Sequence, residues 1–314
     1  MLTIITKPVS RVYSILKFLQ NIVFSIQGRS VLKVKYGGHY AVTRSLVEGL
    51  SKIGAEFNYN PTKKSNITEV VVVLSSTQAL KQVIKLKKKG LVKKIITGPN
   101  ILMVPSRKDK ILKSKEIDLI LQPSVWPRQI FAEIFPDSSS KLRAWPAGVD
   151  FDDWKIDKQK NIEKNILIYF KCSVKVMFEE CIKILEKFGY RVEVIYYGKY
   201  NIDQYKVALA RNNFLIHLVE HESQGISLAE AWATNTPTLV WNPGLYFCDN
   251  GNNYYCSSAP YLSKQTGIFF RDIEEFENIV SNSLVNKNFS PRKWVEENMT
   301  DEICAKRLLE IIDF

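Results

Sequence analysis

Glu222-Ser-Gln-Gly-Ile-Ser-Leu-Ala-Glu230 is the stretch on which the reading of this 314-residue chain turns. Two helical turns cover about seven residues, so the spacing sets one carboxylate at the mouth of a helix and the other near the same face further along. A single polar ligand could touch both. Upstream, Asn213-Phe-Leu-Ile-His-Leu-Val219 is a short apolar run fit for a buried strand, and downstream 226–233 is a compact helix former. Thr234-Asn-Thr-Pro237 stops that helix, and Thr238-Leu-Val-Trp241 reads as the next strand. In the order strand, glycine-bearing loop, helix, strand, the free amides of Gly225, Ile226 and Ser227 point outward at the C-terminal edge of a parallel sheet, where an anion or a sugar hydroxyl can dock. Taken alone, the two acids fit a solvated helix-terminus pair better than a site, since the helix dipole by itself favours Glu222 there.

The segment as a whole carries more. Glu222 to Glu230, then Ala231-Trp-Ala-Thr-Asn-Thr-Pro237 and the strand 238–241, resembles the E-x-F-G-x-x-x-x-E-A-x-A-x-G-x-P-V signature of the family 4 retaining glycosyltransferases (glycosyl transferases group 1), whose fold is the two-domain GT-B. The resemblance implies that Glu222 lies against the donor sugar hydroxyls as the catalytic carboxylate, that the amides of Gly225, Ile226 and Ser227 contact sugar and diphosphate, and that Glu230 binds the ribose of the nucleotide. Gln224 stands where the family usually has an aromatic and Asn235 where it usually has Gly.

A second match lies upstream. Asn165-Ile-Leu-Ile-Tyr-Phe170 reads as a strand and 174 onward as a helix, with Lys171 and Lys175 bracketing the turn. On its own such a Lys pair is usually a solvated surface pair. It resembles the family's G-R-x-x-x-x-K-G segment, whose two cations grip the donor diphosphate, with Lys171 giving a point charge in place of a planar guanidinium fork.

The length suggests two domains, each with room for a sizeable core. No apolar stretch approaches the roughly 18 to 20 residues that span a bilayer. The opening Met1-Leu-Thr-Ile-Ile-Thr6 is broken by Lys7, Pro8 and Arg11 and reads as a first strand, not a secretory signal. Five cysteines, at 172, 181, 248, 256 and 304, form no C-x-x-C, which favours free thiols in a reducing cytosol and no structural metal.

Charge is divided unevenly. Residues 1–150 hold 25 Lys plus Arg against 9 Asp plus Glu, and residues 151–314 hold 19 against 23, so the halves carry +16 and −4. Such asymmetry marks two domains with different partners. Lys81, Lys85, Lys87, Lys88, Lys89, Lys93 and Lys94 crowd into one stretch that would suit an anionic membrane, a nucleic acid or, most simply, water.

Strand-like and helix-like segments alternate along the chain, which argues for parallel sheets built from βαβ units. In the first half strands are expected at 31–35, 70–74, 94–97 and 118–121, with helices from 41 to 53, through 89, and from about 127. In the second half strands near 166–170, 192–196, 214–219 and 238–241 alternate with helices, and 291–312 has one helical periodicity to the end. Ala144-Trp-Pro-Ala-Gly-Val-Asp150 suits a linker. It resembles the P-N-G-V-D that follows the first domain of the same glycosyltransferases, as Gln122-Pro-Ser-Val-Trp126 resembles their P-S-x-W. Gly37-Gly38 before a helix resembles their first-domain glycine loop facing the donor phosphates, although a simple turn explains a G-G equally well. The expected architecture is α/β: two Rossmann-like parallel-sheet domains facing each other across a cleft, with 1–147 on the acceptor side, 148–290 binding the nucleotide sugar, and a C-terminal helix, 291–314, returning to the first domain.

Two departures from the family are visible. Between the strand at 191 and the strand at 214 there is room for one helix only, which leaves the loop Gly198-Lys-Tyr-Asn201 to meet the nucleobase. The family's first-domain histidine has no match, because the corresponding strand end reads Thr97-Gly-Pro-Asn100. Of the three histidines, His217 lies in an apolar strand as a core residue, while His221 and His39 are candidates to line the site.

These readings converge on a metal-independent, retaining hexosyltransferase that moves a sugar from a UDP- or GDP-sugar to a hydroxyl on a glycan or lipid-linked acceptor, with no cofactor beyond the nucleotide-sugar substrate. The helical stripe at 11–27, with Val12, Ile15, Leu16, Leu19, Ile22, Val23 and Ile26, packs on the first sheet in the ordinary reading and rests on an anionic membrane in the alternative, so a cytoplasmic enzyme is expected, with peripheral membrane contact as the alternative's consequence. A noncatalytic nucleotide-sugar-binding subunit and a GT-B transferase acting on nucleic acid are the alternatives. The nucleic-acid reading is less favoured because aromatics do not interleave with the basic residues. A dinucleotide-dependent oxidoreductase is disfavoured, since no G-x-G-x-x-G follows any expected strand.

Overall fold

Val70–Val73 is four consecutive β-branched residues, stiff at χ1 and suited to a pleated strand covered on both faces. In the computed structural model, which describes residues 1–9, 38–99, 109–156, 164–171, 174–247, 253–282 and 288–313, it forms β3 near the middle of a six-stranded sheet. That sheet has the order β2-β1-β3-β4-β5-β6, with β1 at Leu2–Ile5, β2 at Phe57–Tyr59, β4 at Lys94–Thr97, β5 at Leu119–Gln122 and β6 at Leu142–Ala144. Every pairing in it is parallel. Helices α1 (Gly38–Lys52), α2 (Thr77–Lys88) and α3 (Val125–Ile134) belong to the same half. One core beneath this sheet joins Ile5, Val71, Val73, Ile95 and Ile120 to Leu80 and Val83 of α2 and Phe131 of α3.

The second sheet is also parallel, in the order β13-β10-β9-β7-β8. Its strands are β7 (Asn165–Phe170), β8 (Arg191–Tyr196), β9 (Phe214–Leu218), β10 (Thr238–Trp241) and β13 (Gly267–Phe270). A two-stranded antiparallel hairpin, β11 (Leu245–Phe247) and β12 (Asn253–Tyr255), stands apart from it. The helices are α4 (Lys175–Lys187), α5 (Ile202–Arg211), α6 (Ile226–Ala233) and α7 (Ile273–Ser281). Alternation along β7 and β9 divides the two faces. Ile166, Ile168, Phe214, Ile216 and Leu218 enter a core with Cys181, Leu185 and Phe276, whereas Tyr169 stacks on His217, one residue out of that alternation on each strand.

The chain falls into two compact units, residues Met1–Ala147 with Cys304–Phe314, and residues Gly148–Ile303. The expected single terminal helix is two helices, α8 (Pro291–Asn298) and α9 (Asp301–Asp313). The break has a local cause. Thr300 pairs by a parallel bridge with Val149, Val149 N donates to Met299 O and Asp301 N donates to Val149 O, so the backbone at the joint bonds to Val149. Trp145 Nε1 donates to Cys304 O at 2.8 Å and Lys94 Nζ donates to Ile312 O, which fastens the last helix within the first unit. The segment read as a linker is ordered by burial: Trp145, Ala147 and Val149 are all buried, and 142–144 is an edge strand.

The strand expected at 31–35, the stripe at 11–27, Gly37, Cys172 and Cys248 lie outside the described residues. Cys181, Cys256 and Cys304 are free and buried. Among the described residues no helix is long and apolar enough to cross a membrane.

Candidate functional site

Parallel strands bring their C-terminal ends to one edge, and the register of the second sheet decides what meets there. Phe170 is level with Tyr196 on β8 and with Leu218 on β9. The residues that follow are held in the same way: Lys171 N donates to Leu218 O at 3.0 Å and Tyr197 N to Phe170 O at 3.0 Å. At that edge Lys171 Nζ bonds Glu222 Oε1 at 2.7 Å, joining residues from two different loops. The same ammonium sits 4.5 Å from the ring centroid of Tyr197. Lys171 is therefore flanked by a carboxylate and by a ring whose face attracts cations.

The loop that carries Glu222 is pinned from behind. Glu222 N donates to Ser257 O at 3.0 Å, and Ser258 Oγ donates to Glu220 O at 3.0 Å. Gly225 then turns the chain into α6 at φ 82°, a left-handed conformation that its lack of a Cβ permits. A side chain there would meet Leu228 Cδ1 at 3.0 Å. The amides at the start of α6 thus follow directly on the Lys171–Glu222 pair, as the strand-loop-helix reading requires.

Helix α6 is buried almost all round. Leu228, Ala229, Ala231, Trp232 and Ala233 are buried, and Glu230 is 5% exposed. The solvated helix-terminus acid that the bare pair suggests is not what the structure has at Glu230. The run Leu-Ala-Glu-Ala-Trp-Ala is apolar around the whole helix apart from this one residue, which is the pattern of a core helix. The acid's neighbours were also unforeseen. Tyr200 lies within the electrostatic reach of both Glu222 and Glu230, and burial, the largest cause, pushes its phenol up to about 12. Its hydroxyl donates to that of Tyr169 at 3.2 Å. Tyr205, fully buried, donates to Ser227 O at 2.8 Å and so ties α5 to the first turn of α6.

No protein-family model matches the chain, and no curated protein matches it in sequence. Solved structures match it in fold. A glycosyltransferase from Rickettsia africae ESF-5 superposes with a TM-score of 0.59 at 12% identity, over 99% of this chain and 96% of that one. The lipopolysaccharide outer core galactosyltransferase WaaB, apo form, gives 0.58 at 12%, over 88% and 96%. Anabaena Alr3699/HepE, in complex with UDP and glucose, gives 0.57 at 10%, over 88% and 96%. The chain has the GT-B fold. At these identities the likeness is one of architecture alone, two parallel-sheet α/β units.

On this GT-B scaffold the sequence candidates separate. Lys171, Glu222 and the turn at Gly225 come together. Lys175 is exposed at the first position of α4, and Gly198 holds a left-handed turn at φ 78° with open space where a side chain would go. Gly38 and His39 are exposed in the first turn of α1. His221 is half-buried beside Glu222, and burial, the largest cause, lowers its basicity against the opposing pull of that carboxylate. The sequence reading missed Tyr169, Tyr197 and Tyr205, and marked Tyr200 only as part of the loop 198–201. Its one available signal was the tyrosine density of Tyr196-Tyr197-Gly-Lys-Tyr200 at the end of a strand.

Asn235, where the signature that the segment resembles usually has Gly, takes φ 61° just after α6, the left-handed helix-ending geometry that Asn tolerates better than other non-glycine residues. Its Oδ1 accepts from Arg292 N at 3.3 Å. The replacement keeps the backbone and adds a bond.

His217 is a core residue, as expected. It stacks on Tyr169 with centroids 5.0 Å apart at 12°, and neither ring nitrogen has a hydrogen-bond partner among the described residues. Burial first, and Lys171 second, push its imidazole down to about 3. The folded state thus holds this histidine neutral over a range in which the unfolded chain, with an ordinary pKa near 6.5, takes up a proton. Its contribution to stability is complete above about pH 6.5 and is lost as the pH falls toward about 3, with a limiting slope near 1.4 kcal/mol per pH unit. Urea denaturation of His217→Phe between pH 4 and 7 should show a shallower dependence than the parent; equal slopes would place the acid sensitivity elsewhere.

Proposed function

We propose that the protein is a glycosyltransferase that binds a nucleotide-diphosphate sugar on its second unit and transfers the sugar, with retention, to a hydroxyl of a glycan or lipid-linked acceptor. The observation that carries this reading is the 2.7 Å pair between Lys171, at the end of β7, and Glu222, in the loop before the Gly225 turn. It sets a cation, a carboxylate and the open amides of a helix N-terminus at one sheet edge. A diphosphate there takes its counter-charge from Lys171 and from the amides of Ile226 and Ser227, and no metal is needed to supply it. Glu222 is released from Lys171 in proportion and turns to the sugar hydroxyls. Glu230 receives the ribose, and Tyr197, exposed beside Lys171, is the aromatic surface nearest that edge for a base.

In the chemical step the bond from the anomeric carbon to the diphosphate oxygen breaks, and the new bond to the acceptor oxygen forms on the same face. The departing phosphate oxygen accepts the acceptor's proton, so no separate carboxylate nucleophile is required. Lys171 and the two amides are preorganised where the leaving charge develops, the arrangement through which electrostatics lower a barrier most. We place the enzyme in the cytoplasm, consistent with the buried free thiols.

Calorimetry with UDP-, GDP-, ADP- and TDP-sugars tests the reading. One nucleotide class should bind, and Lys171→Ala should weaken that binding by about ten- to a hundredfold, the usual worth of a charge-assisted contact. Failure of every donor to bind would remove the proposal. A second reading, a noncatalytic nucleotide-sugar-binding subunit, is favoured by the end of β4, Thr97-Gly-Pro99, which carries no histidine. Donor binding without turnover against any glycan or lipid-linked acceptor would select it.

A further inference from the structure

Helix α2 has a face that the donor site does not use. Its apolar positions, Ala79, Leu80, Val83, Ile84 and Leu86, are buried. At 100° per residue Lys81, Lys85, Lys88 and Lys89 fall within a single arc of about 100° on the opposite side, and all four are exposed. The acids nearby are already engaged by other lysines or by Lys88 itself: Asp118 pairs with Lys87, Glu116 with Lys88 at 3.5 Å, and Glu69 with Lys93 at 2.7 Å. Lys81, Lys85 and Lys89 have no ion pair among the described residues, so a row of positive charge at i, i+4 and i+8 is left uncompensated. Beyond the helix end, Leu91 is 59% exposed, an apolar side chain between Lys89 and Lys93.

We infer that this face of α2 docks on an anionic phospholipid surface, the lysines meeting the headgroup phosphates and Leu91 entering the boundary above the acyl chains. Charge complementarity argues for a polyanion. Two observations select lipid over nucleic acid. The segment from Thr77 to Lys94 contains no aromatic residue on which a base could stack. An exposed leucine set in a basic rim suits a bilayer interface, where apolar and cationic groups act together. The contact is peripheral, and it does not depend on the donor reading, because α2 carries none of the residues assigned to the sugar nucleotide.

Co-sedimentation of the full chain with vesicles decides the matter. The protein should pellet with phosphatidylcholine vesicles containing phosphatidylglycerol, remain in solution with phosphatidylcholine alone, and be released by salt. K81E/K85E/K89E should lose roughly tenfold or more of that affinity while keeping the far-UV circular dichroism and melting temperature of the parent. L91S should weaken it further without altering the salt dependence. Equal pelleting with neutral vesicles, no pelleting with either, unchanged pelleting of the folded triple variant, or lysine-dependent binding to duplex DNA in place of vesicles would each overturn the inference.

Discussion

Glu230→Gln should weaken nucleotide-sugar binding about a hundredfold, whereas Glu222→Gln should leave binding within about threefold and lower turnover about a hundredfold. The asymmetry follows from where the two acids sit. Glu230 is 5% exposed, so what it binds is largely desolvated, and a partner deprived of its acceptor there is left unpaired at a cost of about 1–3 kcal/mol. Glu222 is already satisfied by Lys171 in the free protein, and its work on the sugar begins only when that ammonium is drawn to phosphate. The glutamine variant is the informative one at position 230. Glu230→Ala would also open a cavity in a helix packed on every side and should lower stability by about 2 kcal/mol, which confounds binding with folding. Calorimetry for affinity and initial rates for turnover separate the two acids, and identical behaviour of both variants would dissolve the assignment.

Gly98→Ala should be the most destabilising conservative change in the first unit, at about 3 kcal/mol or more. Gly98 directly follows β4 at φ 94°, and a Cβ built there would stand 2.3 Å from the carbonyl oxygen of Leu121 on the neighbouring strand, a backbone atom with nowhere to go. Conformational strain and overpacking therefore add. Gly54→Ala is the control: its φ is 69° but nothing lies within 4 Å, so it should cost only the strain, about 1 kcal/mol. Thermal melts should place the first variant about 6–12 °C below the parent and the second within a few degrees. Similar melting temperatures would mean that β4 and β5 can separate to admit a methyl group.

The strands with continuous apolar runs were legible in the sequence because burial on both faces demands such runs. Val70–Val73, Lys94–Thr97 and Thr238–Trp241 fall within a residue of where the pattern puts them. What escaped were edges and joints. Phe57–Tyr59, Leu142–Ala144 and Gly267–Phe270 each occupy the rim of a sheet, and two of the three are only three residues long. The periodicity of 291–312 hides its break, since the cause is a backbone pairing with Val149 that no local pattern announces. The site was legible to the same degree. Glu222, Gly225 and the helix after them stand out in the chain, and Lys171 joins them once β7 and β9 are known to be neighbours. The tyrosines around them are a product of strand order, and only Tyr200 lies in the loop that the sequence had marked.

Arg292 donates to Ala233 O and to Phe151 O at 3.0 Å, and its guanidinium lies 3.7 Å from the centroid of the Phe151 ring. It closes the end of the helix that bears Glu230 from a position almost sixty residues later in the chain. The first unit is finished later still, by Cys304–Phe314. Neither half can complete its fold on a ribosome until residues 291–313 have emerged. A nascent chain stalled before them carries both sheets with their closing helices still missing, and premature termination near position 290 should yield no half-molecule worth rescuing.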